Sequence, residues 1–498
     1  MDFITFLLVL SSILWTCAVY LTSKSSKTRK SARLPPGPNP WPIIGNILEL
    51  GPKPHQSLAK LSRKHGPLMS LKLGSITTVV VSSPEFAKTI LQTHDLACSS
   101  RSIPHAIEVL NHDKISMAWI PANSKWRKLR RICKEQMFSV SSLDASQGLR
   151  KEKLQKLHEY VSGCCKAGQA LNIGEAAFTT TLNLMSATLF SVEFAQFGSD
   201  SLQEMKDVVW GVMKYVGMPN LADYFPILKR ADPQGIFRQS KFYFERLLEI
   251  FDRIIDERLE SRASGVSEEK KDMVEALLDF YQRDEISRDD INHLLLNLFV
   301  AGTDTTAGTV EWAMTELIRH PKKMSRIRDE LRDIIGENGQ LQESEISRLP
   351  YLHAVVKETF RLHPAAPFLV PHKAEADVEI DCYVVPKNAK ILVNVWASGR
   401  DPNIWPDADL FMPERFLDHN EIDYRGNDFE LIPFGAGRRI CPGLPLAHRM
   451  VHLMLATLIR DFGWKLGNGQ KAEELDMSEK FGLSLQKAIP LNLLPMKP

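Results

Sequence analysis

The chain has 498 residues, 44% of them hydrophobic and 24% charged, with a formal net charge of +2. This is globular composition with ample apolar mass, and length alone suggests more than one domain, since single cores stop growing at roughly 250–300 residues. The near-balance of charge argues against nucleic acid as the main partner, because no basic excess exists to neutralise phosphates.

Phe3 to Leu21, FITFLLVLSSILWTCAVYL, carries no charge and approaches the ~20 residues that a membrane-crossing helix needs. Lys24, Lys27, Arg29, Lys30 and Arg33 follow the run, and only Asp2 precedes it. This charge order favours a retained signal-anchor over a cleaved leader and puts the rest of the chain on the cytosolic side. The expected division is an anchor at 1–23, a basic and Pro-rich hinge at 24–45, and a cytosolic body at 46–498. LPPGPNPWPIIGN, Leu34 to Asn46, reads as a stiff elbow because its prolines fix the backbone.

Gly74 to Ser82 and Lys390 to Val395 read as strands. Phe242 to Arg258, Ile291 to His320 and Leu444 to Leu458 have helical periodicity. Ser261 to Lys271 reads as a polar surface loop. The balance is mainly α with small β-sheets. The seven cysteines are odd in number, irregularly spaced and without a C-x-x-C pair, which speaks against a disulfide framework or a zinc site.

Four stretches concentrate chemistry. In WRKLRRICK, Trp126, Arg130 and Cys133 share one helix face, while Arg127, Arg131 and Lys134 form a second, basic stripe. In AGTDTT, Ala301 to Thr306, a glycine and a polar cluster interrupt an apolar helix. KETFRLHP sets Glu358 and Arg361 at i,i+3 on one face, and FMPERF adds Arg415. PFGAGRRICPG, Pro433 to Gly443, puts Cys441 just before a helix N-terminus, whose N–H groups stabilise an anion such as a thiolate.

Phe434, Gly437, Arg439, Cys441 and Gly443 fit F-x-x-G-x-R-x-C-x-G, and the chain resembles the cytochrome P-450 superfamily there. More narrowly, HGPLMSLKLG, HDKISM, KEQMFS, ASQGLR, LNLMSATLFS and DPQGI resemble the plant microsomal terpenoid hydroxylases around geraniol 8-hydroxylase and ferruginol synthase. The resemblance implies the P-450 fold behind a single N-terminal transmembrane helix, in the endoplasmic reticulum membrane. It implies haem b with the Cys441 thiolate on iron, a ligand that favours O–O cleavage, in a loop carrying Phe434 and Gly443. It implies NADPH used through NADPH-cytochrome P-450 reductase, with cytochrome b5 as a second donor.

Residue by residue, the resemblance gives Trp126, Arg130 and Arg439 to the haem propionates, assisted by His372, where many relatives have arginine. Asp304 and Thr305 relay protons to dioxygen, and Gly302 leaves room for it. Gly437 and Gly443 admit a flat cofactor. Glu358, Arg361 and Arg415 form a structural triad. Arg438 and the basic stripe are expected to meet the electron donor, unless the stripe is simply a solvated helix face. The expected substrate pocket is apolar, from Ile107, Ile120, Phe299, Ala301, Ala366, Phe368, Leu369, Val370 and Leu483, and suits a hydrocarbon-like molecule. The leading substrate is a monoterpene alcohol or a labdane- or abietane-type diterpene. Phenylpropanoid or flavonoid oxidation and a non-turnover haem protein stay open beside it.

Overall fold

The computed structural model describes residues 11, 12, 15, 33–264, 271–336, 339, 341–417, 422–467 and 470–497. Most of Phe3–Leu21 lies outside the described residues, and among those described no helix is long and apolar enough to cross a membrane. The core divides by layer rather than into separate domains. One large cluster of buried apolar residues belongs to the helices, and two smaller ones flank a sheet.

The helices that matter for the site are α1 (Ser124–Cys133), α2 (Ile173–Phe190), α3 (Asp200–Gly217), α4 (Ile236–Ser264), α5 (Arg288–Arg319), α6 (Pro350–Leu362) and α7 (Leu444–Arg460). The 32-residue α5 starts at a capping box in which Ser287 and Asp290 satisfy each other's backbone N–H groups. It is buried on nearly every face and packs against α2, α4, α6 and α7. The polar cluster does not break it. Thr303, Thr305 and Thr309 each donate their hydroxyl to the carbonyl four residues back, so the helix runs through AGTDTT without interruption.

The main sheet joins β1 (Leu68–Leu73), β2 (Ile76–Val81), β3 (Ser100–Arg101), β4 (His372–Lys373) and β5 (Lys390–Val393) in the order β1-β2-β5-β4-β3. The sequence-expected strand at 74–82 is the second half of a hairpin, and Gly74, at φ +55°, makes the turn into it. The Pro-rich elbow is not free. The carbonyls of Pro35 and Pro36 accept from the hydroxyl and N–H of Ser70, and Asn46 pins Lys72 on the β1 edge. Ser261–Ser264 extends α4 into the segment expected to be loop.

Glu358, Arg361 and Arg415 meet as the resemblance implied. The Arg361 Nε and Nη2 groups donate to the two Glu358 carboxylate oxygens at 2.7 Å, and Arg415 Nε donates to one of them at 3.2 Å. Glu358 and Arg361 are both fully buried.

Candidate active site

The cysteine loop leads straight into α7. Cys441 N–H donates to the Phe434 carbonyl at 2.9 Å, closing the loop on itself. Burial pushes the Cys441 thiol up, while the N–H groups of Gly443 and Leu444 and the Arg130 guanidinium pull it back toward thiolate. Gly437 has a different reason from the expected one. At φ +64°, its missing Cβ would lie 2.1 Å from the Leu91 carbonyl, so the glycine admits backbone from 89–93 rather than a cofactor. Gly443 does border the sulfur, its Cβ position lying 3.8 Å from Cys441 Sγ.

Cys441 opens onto an internal cavity of about 310 Å³. It is lined by the loop, with Phe434, Cys441 and Gly443, and by Ala301, Gly302, Thr305 and Thr306 of α5. At one end stand Trp126, Arg130, His372, Arg439 and a residue the motifs did not single out, Arg101. Pairing of β3 with β4 sets Arg101 opposite His372. Arg439 lies over the Trp126 ring at 4.8 Å and donates to the carbonyls of Ser99, Met117 and Ile120. Arg130 donates to the Ile440 carbonyl and Arg101 to that of Val370.

Among the described residues, no carboxylate lies at hydrogen-bond distance from any of these three guanidinium groups. Burial and mutual repulsion push Arg101 down to about 9 and Arg439 down to about 10, and burial lowers Arg130 as well. Arg101 Nε is buried and unpartnered. Three crowded, desolvated cations facing an apolar cavity with a thiol at its floor fit an anionic, largely apolar, metal-bearing ligand.

A family model for cytochrome P-450 matches residues 35–491. The chain belongs to the cytochrome P-450 family. A cytochrome P-450 designated 76T24 from Catharanthus roseus is 57% identical over 492 residues, covering 98% of each chain. Ferruginol synthase of Isodon rubescens is 50% identical over 501 residues, covering 100% of each. Geraniol 8-hydroxylase of Catharanthus roseus is 50% identical over 497 residues, covering 99% of each. The cofactor of this P-450 is therefore haem b with a cysteine thiolate on its iron, and the chain is a monooxygenase. The cavity fits it: Cys441 would supply the sulfur, and the three arginines would suit its two propionates.

His372 lines the same end, with its Nδ1 2.7 Å from the Cys98 carbonyl. That bond fixes the proton on Nδ1, and burial holds the ring well below the ordinary histidine value. A neutral His372 thus presents Nε2 as an acceptor, and it must take up a second proton to donate to a carboxylate. An arginine at this position would have no such requirement.

The acid–alcohol pair is split by the helix. Thr305 faces the cavity, its hydroxyl on the Ala301 carbonyl at 2.8 Å. Asp304 is buried on a different face, accepting from Ser484 Oγ and Gln486 Nε2, with its carboxyl held above the usual range by burial. Gly302 leaves room mainly for Met185 of α2, whose methyl carbon lies 2.8 Å from where a Cβ would sit.

Of the expected pocket residues, Ala301, Ala366, Leu369 and Val370 line the cavity. Phe368 and Leu483, with Leu369, line a neighbouring cavity of about 90 Å³. Ile107, Ile120 and Phe299 do not line either one. Phe299 packs among Phe190, Phe194 and Phe251, and Ile120 contributes its carbonyl to Arg439. The wall they were expected to form comes instead from Thr181, Leu184 and Met185 of α2 and from Asn297 and Leu298 of α5. Arg438 is ion-paired with Asp95 at 2.8 Å. Arg127, Arg131 and Lys134 are exposed, as the two-faced reading of α1 requires.

Arg101 gives a test with a clear sign. Arg101→Leu removes a desolvated, repelled cation from the protein but also one partner of a bound dianion. Haem retention should fall by roughly 10- to 100-fold, the worth of one charge-assisted hydrogen bond, without loss of thermal stability in the haem-free protein. Haem titration beside thermal unfolding separates the two, and equal losses in both would mean the residue is merely structural.

Proposed function

We propose that this P-450 hydroxylates a terpenoid, either a monoterpene alcohol or a labdane- or abietane-type diterpene. Two electrons come from NADPH through NADPH-cytochrome P-450 reductase, with cytochrome b5 as an auxiliary donor. One atom of dioxygen enters a C–H bond of the substrate and the other leaves as water, with two protons taken up. The observation that carries the reading is the apolar wall of Leu184, Leu298, Ala301, Ala366, Leu369 and Val370 above the cysteine loop. It suits a hydrocarbon oriented by shape. Full-length relatives at about half identity are named for geraniol and ferruginol chemistry, which supports the same class.

The bound haem supplies oxygen activation, and the chain supplies anchoring, exclusion of water and protons. Trp126, Arg130, Arg439 and Arg101 hold the propionates, with His372 joining them when protonated. Thr305 is the cavity-side proton donor. Asp304 feeds it after turning away from Ser484 and Gln486, carrying the proton that burial favours. Phe3–Leu21 anchors the chain in the endoplasmic reticulum membrane, residues 24–45 form the hinge, and the body from 46 faces the cytosol, where Arg127, Arg131 and Lys134 dock the reductase.

Co-expression with a reductase and a panel of geraniol, abietane-type dienes and cinnamate-type compounds, read by mass spectrometry, tests the substrate class. Hydroxylated terpenes are expected; turnover of the cinnamates alone would overturn it. Thr305→Ala should keep haem and substrate binding yet divert NADPH consumption from product to peroxide. Unchanged coupling would refute the proton role of Thr305.

A further inference from the structure

Three histidines lie on the far side of α7 from the cavity. His353 comes from α6, and His448 and His452 stand at i,i+4 on α7. One ring nitrogen from each lies within 4.8 Å of those of the other two. The rings are gathered closely, with centroids 4.4 Å apart for His353 and His452 and 4.5 Å for His448 and His452.

Each ring has one nitrogen at hydrogen-bond distance from a neighbouring carbonyl or hydroxyl. His353 Nε2 lies 3.0 Å from the Ile346 carbonyl, His452 Nδ1 2.6 Å from the His448 carbonyl, and His448 Nδ1 2.5 Å from the Tyr424 hydroxyl. This leaves His353 Nδ1, His448 Nε2 and His452 Nε2. The last belongs to a fully buried side chain and has no hydrogen-bond partner. A buried ring nitrogen without a partner is costly. Rings fixed through one nitrogen by a carbonyl or hydroxyl, with the second pointing to a shared space, are how proteins orient histidines for a metal.

From this geometry we propose that His353, His448 and His452 form a second metal site, distinct from the haem, for a divalent first-row transition ion such as Zn²⁺. Imidazole suits such ions, and three nitrogens leave a fourth position for water. Zinc requires nitrogen bonds of ~2.0–2.1 Å, so the three rings must close around the ion as it binds. His353 and His448 are only partly buried, which gives the ion an entry path. Because α6 carries Glu358 and Arg361 and α7 begins three residues after Cys441, a bound ion would tie these two supports of the haem loop together.

The test titrates tag-free, full-length holoenzyme with ZnCl₂, using calorimetry and metal analysis after dialysis. We expect one zinc per chain and a higher unfolding temperature with zinc present. Zinc-edge X-ray absorption of the wild type should give nitrogen ligands at about 2.0–2.1 Å. His353→Gln with His448→Asn, and separately His452→Asn, should weaken binding at least roughly tenfold. The reduced, CO-bound haem band reports that each variant is folded. Wild-type affinity weaker than ~0.1 mM would overturn the proposal. So would undiminished binding in the double variant, or an absorption spectrum without nitrogen ligands.

Discussion

Alanine at Cys441 should give a protein whose reduced, CO-bound spectrum lacks the haem-thiolate band and which forms no hydroxylated product. The size of the effect follows from how much of the loop serves one sulfur. The N–H groups of Gly443 and Leu444 and the Arg130 guanidinium are all arranged to favour its anion against burial. Alanine leaves these donors aimed at a methyl group and takes away the bond to iron. Cys441→Ser separates the two losses, because it restores a small acceptor in the same place without the soft, electron-rich ligand that O–O cleavage needs. A folded serine variant with a shifted band and no turnover is the expected result. A thiolate band in the alanine variant would show that another residue is the ligand.

The second large effect lies in the buried triad. All five Arg361 N–H donors are used: two on Glu358 and the others on the carbonyls of Gly399, Ala408 and Leu410. Glu358 also accepts from Met412 N–H and from Arg415. Removing one member strands a buried charge, at about 3–5 kcal/mol, a large share of the 5–15 kcal/mol that typically holds a protein folded. Glu358→Ala should therefore leave little haem-loaded protein in cells and lower the unfolding temperature of what is recovered. Arg361→Lys should fail similarly, since an ammonium cannot span two carboxylate oxygens and three carbonyls. Wild-type yields and melting for both would reduce the triad to decoration.

The i,i+3 pair Glu358–Arg361 was legible because the helix alone brings those two side chains together, and helical period likewise separates Trp126 and Arg130 from Arg127 and Arg131. The same geometry argues against Asp304 and Thr305 pointing into one cavity: neighbours on a helix diverge by about 100°. Asp304 went to the C-terminal hairpin, where Ser484 and Gln486 await it. The resemblance misplaced Phe299 and Ile120 for a related reason. Apolar character says that a side chain is buried, but not whether a cavity or another ring lies against it.

What the sequence determined by itself is the chemistry that needs only a few consecutive residues: the thiolate loop, the Glu358–Arg361 pair, the arginine and tryptophan on one face of α1. Short-range geometry is fixed by covalent connectivity and hydrogen bonding within the segment. What only the tertiary structure decided depends on segments far apart in the chain. Arg101 enters the cavity because β3 pairs with β4 across some 270 residues, and His353 meets His448 and His452 because α6 packs on α7. No local pattern encodes such meetings, since they arise from burying one element's apolar face against another's.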